Sequence, residues 1–131
     1  MPHACDTNIA VYAFGGQGDK VSRAVQALEG ATISIQVLNE FANVALRKFG
    51  YTLANLEERI GAIRSVVASI EPIEEETHDL ARQVIARYKL SFYDALIIAS
   101  AIQAECDTVY SEDMQNGLVI EDRLRIINPF A

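Results

Sequence analysis

Short β-branched or apolar runs alternate along this chain with longer segments whose apolar residues recur at helical spacing, and this alternation restricts the fold most. Ala4 to Ala13 opens on the step Asp6-Thr7-Asn8 and continues as an apolar segment. Val21, Ala24, Val25 and Leu28 then repeat as on one helix face, with Gly30 as a natural stop. Thr32 to Ile35 reads as a buried strand, and Val37, Leu38, Phe41, Val44 and Ala45 mark the apolar face of the helix after it. Leu53, Leu56, Ile60, Ile63 and Val67 outline another helix, and Glu71-Pro72 closes it or a short strand that follows. Leu80, Ala81, Val84, Ile85 and Tyr88 recur in the same way. Ser91-Phe92-Tyr93-Asp94 has the S-x-x-D form of a helix start, and the run from Ala95 to Ile102 is apolar on almost all sides, so this helix should be largely buried. Cys106 to Tyr110 reads as a further strand, and Arg125 to Ile127 as a last edge strand stopped by Asn128-Pro129. The order β-α-β-α-α-(β)-α-α-β-β predicts an α/β fold with three layers, α/β/α, around a central and mostly parallel sheet.

Such a sheet gathers the carboxyl ends of its strands on one edge, where residues distant in sequence converge. Asp6, Glu40, Asp94 and Asp113 each stand where a strand gives way to a loop or helix. Two unpaired carboxylates about 5 Å apart repel by roughly 3 kcal/mol at an effective dielectric of 20, so four in one pocket require protons or a cation. All-oxygen ligands suit a hard divalent ion, Mg²⁺ with Mn²⁺ as a substitute, and Mg²⁺ usually takes only one or two protein carboxylates while keeping several waters. The residue types therefore point to a metal-dependent phosphodiesterase site, in which an activated water attacks phosphorus and no His or Cys nucleophile is needed. His78 reads as a helix-surface residue, and His3, although near Asp6 in sequence, is isolated and is not expected to be part of the site.

With 131 residues, half of them apolar, the chain suffices for one core, and a single domain over residues 1–131 is expected. No apolar run reaches the roughly 18 residues of a membrane span, and Met1 to Cys5 lacks a secretory layout, so no membrane association and a cytoplasmic location are expected. Cys5 and Cys106 are too few and too far apart for a zinc motif and should be buried thiols. The Gly15-Gly16-Gln17-Gly18 loop fails the pattern of a phosphate cradle and reads as a flexible turn. A net charge of −7 argues against gripping nucleic acid by general electrostatics, although Arg47, Lys48, Arg87 and Lys89 lie near the candidate elements. Glu74, Glu75 and Glu76 suggest a solvated turn or a helix start.

Taken in order, Asp6-Thr7-Asn8, Gln36-Val37-Leu38-Asn39-Glu40-Phe41, Ser91-Phe92-Tyr93-Asp94-Ala95-Leu96-Ile97 and Thr108-Val109-Tyr110-Ser111-Glu112-Asp113 resemble the motifs of a PIN domain, with the VapC-type toxins of toxin-antitoxin pairs as the nearest likeness. The resemblance runs to the closing Ile126-Ile127-Asn128-Pro129-Phe130. It implies a Mg²⁺-dependent endoribonuclease that cleaves single-stranded or loop RNA, forms a homodimer and is silenced by a cognate antitoxin. It also implies that Asp6 and Asp94 are the core metal ligands, that Glu40 and Asp113 complete the catalytic set, and that Thr7, Asn8 and Ser111 fix the carboxylates from behind. The segment before Asp6 is shorter and less aliphatic than the strand usual in that family.

Three other functions compete. A metal nuclease acting on DNA or generic strands would keep the same acids, but the chain has no long insertion for threading DNA. A phosphatase with Asp6 as nucleophile would want a second acid two residues on, where Asn8 stands. A catalytically inactive binding module would have no use for all four acids.

Overall fold

The structure, a computed structural model, describes residues 2–15 and 18–131. The reading of the glycine loop, which turns on Gly16 and Gln17, lies outside the described residues.

Along the chain run β1 (His3–Cys5), α1 (Thr7–Phe14), α2 (Lys20–Leu28), β2 (Thr32–Ser34), α3 (Ile35–Arg47), α4 (Leu53–Val66), β3 (Ser69–Glu71), α5 (Glu75–Arg87), α6 (Phe92–Gln103), β4 (Thr108–Tyr110), β5 (Val119–Ile120) and β6 (Leu124–Ile127). The strands form one sheet in the order β3-β2-β1-β4-β6-β5. Every pairing is parallel except that of β5 with β6. Helices cover both faces, as the three-layer reading expects. Side chains alternate across a strand, so Ala4 enters one core with Val84, Ile98, Val109 and Ile126, while its neighbour Cys5 enters the other with Ile9, Leu28, Ile33 and Phe41.

Capping residues set where the helices begin. Ser34 accepts from the Gln36 amide at 3.0 Å, Thr52 from that of Asn55 at 3.1 Å, and Ser91 from that of Asp94 at 3.1 Å. Glu74 is the N-cap of α5, with Glu75 and Glu76 in its first turn, where negative charge complements the helix dipole. Residues Ala95 to Ile102 of α6 are all buried, and each Leu or Ile there contributes about 1.5–3 kcal/mol by leaving water. α6 is therefore a fixed strut, and the first turn that it presents at the sheet edge is fixed with it.

Three sequence expectations change. The apolar run after Asp6 is a helix, separated from α2, so two helices stand between β1 and β2 where one is expected. Ile35 begins α3 rather than ending β2, because Ser34 is the cap. The strand at 124–127 is interior, paired with β4 on one side and β5 on the other, and the sheet ends at β5. The two cysteines are free and buried, and the Cys5 thiol donates to the Ala27 carbonyl at 3.3 Å.

Candidate functional site

The register aligns the strand ends. Cys5 pairs with Tyr110 and Tyr110 with Ile127, while Ser34 pairs with Glu71, so the residues that follow β1 and β4 leave the sheet at the same edge. Asp6 follows β1 directly and is the N-cap of α1. Ser111 follows β4, and its amide donates to the Ile127 carbonyl at 3.0 Å, while the Asp6 amide donates to Tyr110 at 2.9 Å. Asp6, Thr7, Asn8, Glu40, Asp94 and Asp113 line one cleft of about 270 Å³ on this edge. Ser111 lies beneath it, fully buried.

Each acid has a local reason for its position. The Asp6 side chain accepts from the Thr7 amide at 2.7 Å and from the Ser111 hydroxyl at 2.8 Å, and Ser111 in turn accepts from the Met114 amide at 3.1 Å. The Thr7 hydroxyl donates to Glu40, and the Asn8 amide to Asp113. Two successive residues of α1 thus reach acids that lie 33 and 105 positions away in sequence. Gln36, one turn earlier on α3, donates to Glu40 at 3.2 Å. Asp94 stands in the first turn of α6, placed by the Ser91 cap.

The electrostatics follow from this crowding. Burial pushes the Asp6 carboxyl up from the ordinary 3.8 to about 6, opposed by its hydrogen bonds from Ser111 and Thr7 and reinforced by the charges of Asp94 and Glu40. Burial likewise raises Asp94, Ser91 pulls the other way, and the charges of Glu40 and Asp113 add to the rise. Among the described residues, no three His, Cys, Asp or Glu side chains stand in a group that could hold a metal ion. The donors that face the cleft are nonetheless carboxylate, hydroxyl and amide oxygens. Such a set fits a hard cation that takes one or two carboxylates and retains its waters, and ionising Asp6 and Asp94 against their neighbours is work that a cation would offset.

The structure brings all seven sequence candidates to this one place and adds two. Asn43 lines the cleft and Gln36 braces Glu40. Both lie three or four residues from Glu40 on α3, and that spacing is the signal which could have found them. His3 is not a member: its Nε2 pairs with the Ala27 carbonyl at 2.8 Å and its ring packs edge-on against Tyr110. His78 is exposed, packed at a tilt against Phe92 and hydrogen-bonded by Arg82.

Behind Asp113 lies a second cluster. The Tyr12 hydroxyl donates to Glu112 at 2.6 Å, and Lys20 pairs with Glu112 while standing over the rings of Tyr12 and Phe130 at 4.8 and 5.2 Å. These contacts tie the loop after β4 to α1 and α2.

A mostly parallel sheet whose strand ends and flanking helices bring four acids to one edge cleft defines an α/β domain of the acid-lined type. The chain belongs to the PIN domain family, whose model matches residues 4–115. No curated protein matches it. Among solved structures, it is similar to the sarcin-ricin loop cleaving toxin VapC20 of Mycobacterium tuberculosis, at 23% identity over 85% of this chain and 89% of that one, with a TM-score of 0.66. A toxin-antitoxin complex from Klebsiella pneumoniae matches at 22% identity over 98% of both chains, with a TM-score of 0.70. VapBC2 of Rickettsia felis, bound to a DNA fragment from its promoter, matches at 20% identity over 98% of both chains, with a TM-score of 0.72. At these identities the likeness is one of fold.

Proposed function

We propose that this protein is a Mg²⁺-dependent endoribonuclease, with Mn²⁺ as a working substitute, and the toxin of a type II toxin-antitoxin pair. The observation that carries this reading is the convergence of Asp6, Glu40, Asp94 and Asp113 on one cleft, three of them held by hydrogen-bond donors from α1 and β4's end. Asp6 and Asp94 are the metal ligands, while Glu40 and Asp113 complete the acidic set. When bound, the ion supplies Lewis-acid shielding of the phosphate charge and a lowered pKa for water. Thr7, Asn8 and Ser111 fix carboxylate orientation, which is the support that a loosely chelated Mg²⁺ needs. A cognate antitoxin, a homodimeric assembly and a cytoplasmic site of action go with the toxin role, and similarity to complexes of toxin with antitoxin supports the first of these. No helix among the described residues is long and apolar enough to cross a membrane. The same reading takes residues 1–131 as a single nuclease domain.

Cleavage of RNA should require Mg²⁺ and stop with EDTA. Asp6→Asn and Asp94→Asn should each lower the rate by more than the ~10–100-fold that removing a merely supporting residue costs. Cleavage that survives both substitutions would exclude these roles. A metal-dependent nuclease working outside a toxin-antitoxin pair would show the same dependence without an antitoxin that suppresses it.

A further inference from the structure

A second cavity, of about 340 Å³, opens beside the acidic cleft and shares two of its residues, Asp94 and Asp113. Its other wall is the turn from α5 to α6, which carries Arg87, Lys89 and Ser91, all exposed. Arg87 contacts Glu121 at 2.8 Å yet its side chain stays 68% exposed, so the pair does little for stability. Lys89 makes no ion pair among the described residues. Arg87 also closes the last turn of α5, where a cation complements the helix dipole, so folding accounts in part for Arg87; it gives no such reason for Lys89, on a chain of net charge −7.

We infer that this cavity is the track of the RNA strand on one side of the cut, with Lys89 and Arg87 facing backbone phosphates next to the scissile one. The inference rests on the ribonuclease reading above. A strand whose scissile phosphate sits in the cleft must carry its next phosphates out past Asp94 or Asp113. Those acids repel them, and an adjoining positive wall is what keeps the path open. Because the whole molecule repels RNA at long range, affinity has to come from such local contacts. Tyr88 and Leu118, half-buried in the same cavity, offer apolar surface to a ribose or base. An acidic protein segment fits less well, since it would reach Lys89 past the same two carboxylates without a metal to hold it there.

The test is the binding of a labelled single-stranded oligoribonucleotide to the full chain in Ca²⁺, followed by anisotropy across a salt series, with cleavage kinetics in Mg²⁺. Lys89→Glu should weaken binding by about tenfold and flatten the log–log salt slope by ~0.7, the value of one single-strand phosphate contact. It should raise KM more than it lowers kcat and leave Mn²⁺ binding unchanged. Lys89→Gln should fall between, and Arg87→Gln should act in the same direction. Arg64→Glu makes the same charge change on α4, away from both cavities, and should shift binding by less than about twofold. Unchanged affinity and slope in both Lys89 variants would overturn the inference, as would an equal loss in Arg64→Glu. So would a Lys89 variant that binds RNA normally but no longer binds a partner protein. Wild-type protein that cleaves RNA while the Lys89 variants are unaffected ends this inference alone; wild-type protein that binds RNA along this wall without cleaving it ends the nuclease reading and leaves the wall as an RNA-binding surface with no cut beside it.

Discussion

Asp6 is only 5% exposed, and hydrogen bonds to both of its oxygens do not offset the burial and the neighbouring acids that hold its carboxyl near 6. The sign of the consequence is fixed by proton counting. Between the ordinary 3.8 and about 6, the folded metal-free protein holds the Asp6 proton that the unfolded chain has released, so stability is full below that window and falls as pH rises through it. The shift from 3.8 to about 6 corresponds to a loss of about 3 kcal/mol, and the raised Asp94 adds in the same direction. Urea denaturation of metal-free protein should therefore give a midpoint that declines from pH 4 to pH 7, a decline that Asp6→Asn flattens and that divalent ion at 100 times its Kd offsets by about 2.7 kcal/mol at neutral pH. A flat profile in the wild type would contradict the buried, crowded state assigned to Asp6. Asp6, Thr7, Asn8, Asp94 and Ser111 sit directly after a strand or in a first helical turn, where the chain itself dictates direction, whereas Glu40 lies in the second turn of α3 and Asp113 three residues past β4, so that these two candidates were legible only through the order of the motifs. Gln36 and Asn43 were not, because a helix face acquires a meaning only once α3 is packed and Glu40 is known to turn inward. The spacing between carboxylate oxygens was also beyond the sequence, since it is set by side-chain torsions and by the donors at Thr7, Asn8 and Ser111.

At the scale of elements, the loop after β4 is the part of the site with least support from regular structure. Asp113 is exposed there, and what holds its neighbour Glu112 is the clasp from Tyr12 of α1 and Lys20 of α2. The two hydrogen bonds keep the Glu112 carboxyl below its ordinary range, and the same contacts raise Tyr12 and Lys20. Glu112→Gln should therefore loosen the path of Asp113 without removing a site acid: Mg²⁺-dependent cleavage falls by about tenfold, while the urea midpoint barely moves. A midpoint that collapses would mean that the clasp is a general folding contact. The elements themselves read well from sequence where periodicity is long, as in α3, α5 and α6, and where a Ser or Thr cap marks the start. β5 escaped because it is two residues long and its turn to β6 uses Glu121 and Asp122 at φ of 53° and 55°, a conformation usually signalled by Asn or Gly. Missing β5 is what made the strand at 124–127 look like an edge. The step from Asp6 into α1 was hidden for another reason: Ile9, Val11 and Tyr12 have β-forming side chains, and the capping by Asp6 together with burial of Ile9, Ala10 and Ala13 overrides that preference.

For the molecule as a whole, the sheet order puts the first and fourth strands side by side at its centre, and this adjacency is why Asp6 and Ser111 touch although 105 positions separate them. The flanking helices then bring Glu40 and Asp94 to the same edge from α3 and α6. If it acts on RNA as proposed, a chain of net charge −7 needs an ion at that edge to reverse the local field. On the proposed reading, metal binding is the step on which affinity, catalysis and the relief of carboxylate repulsion all turn. The most direct measurement is anomalous diffraction from crystals of the protein soaked in Mn²⁺. The account predicts a peak in the cleft within coordinating distance of Asp6 and Asp94, absent from Asp6→Asn crystals treated in the same way. Fully soaked crystals with an empty cleft, or with Mn²⁺ bound only at other acidic surfaces, would contradict it.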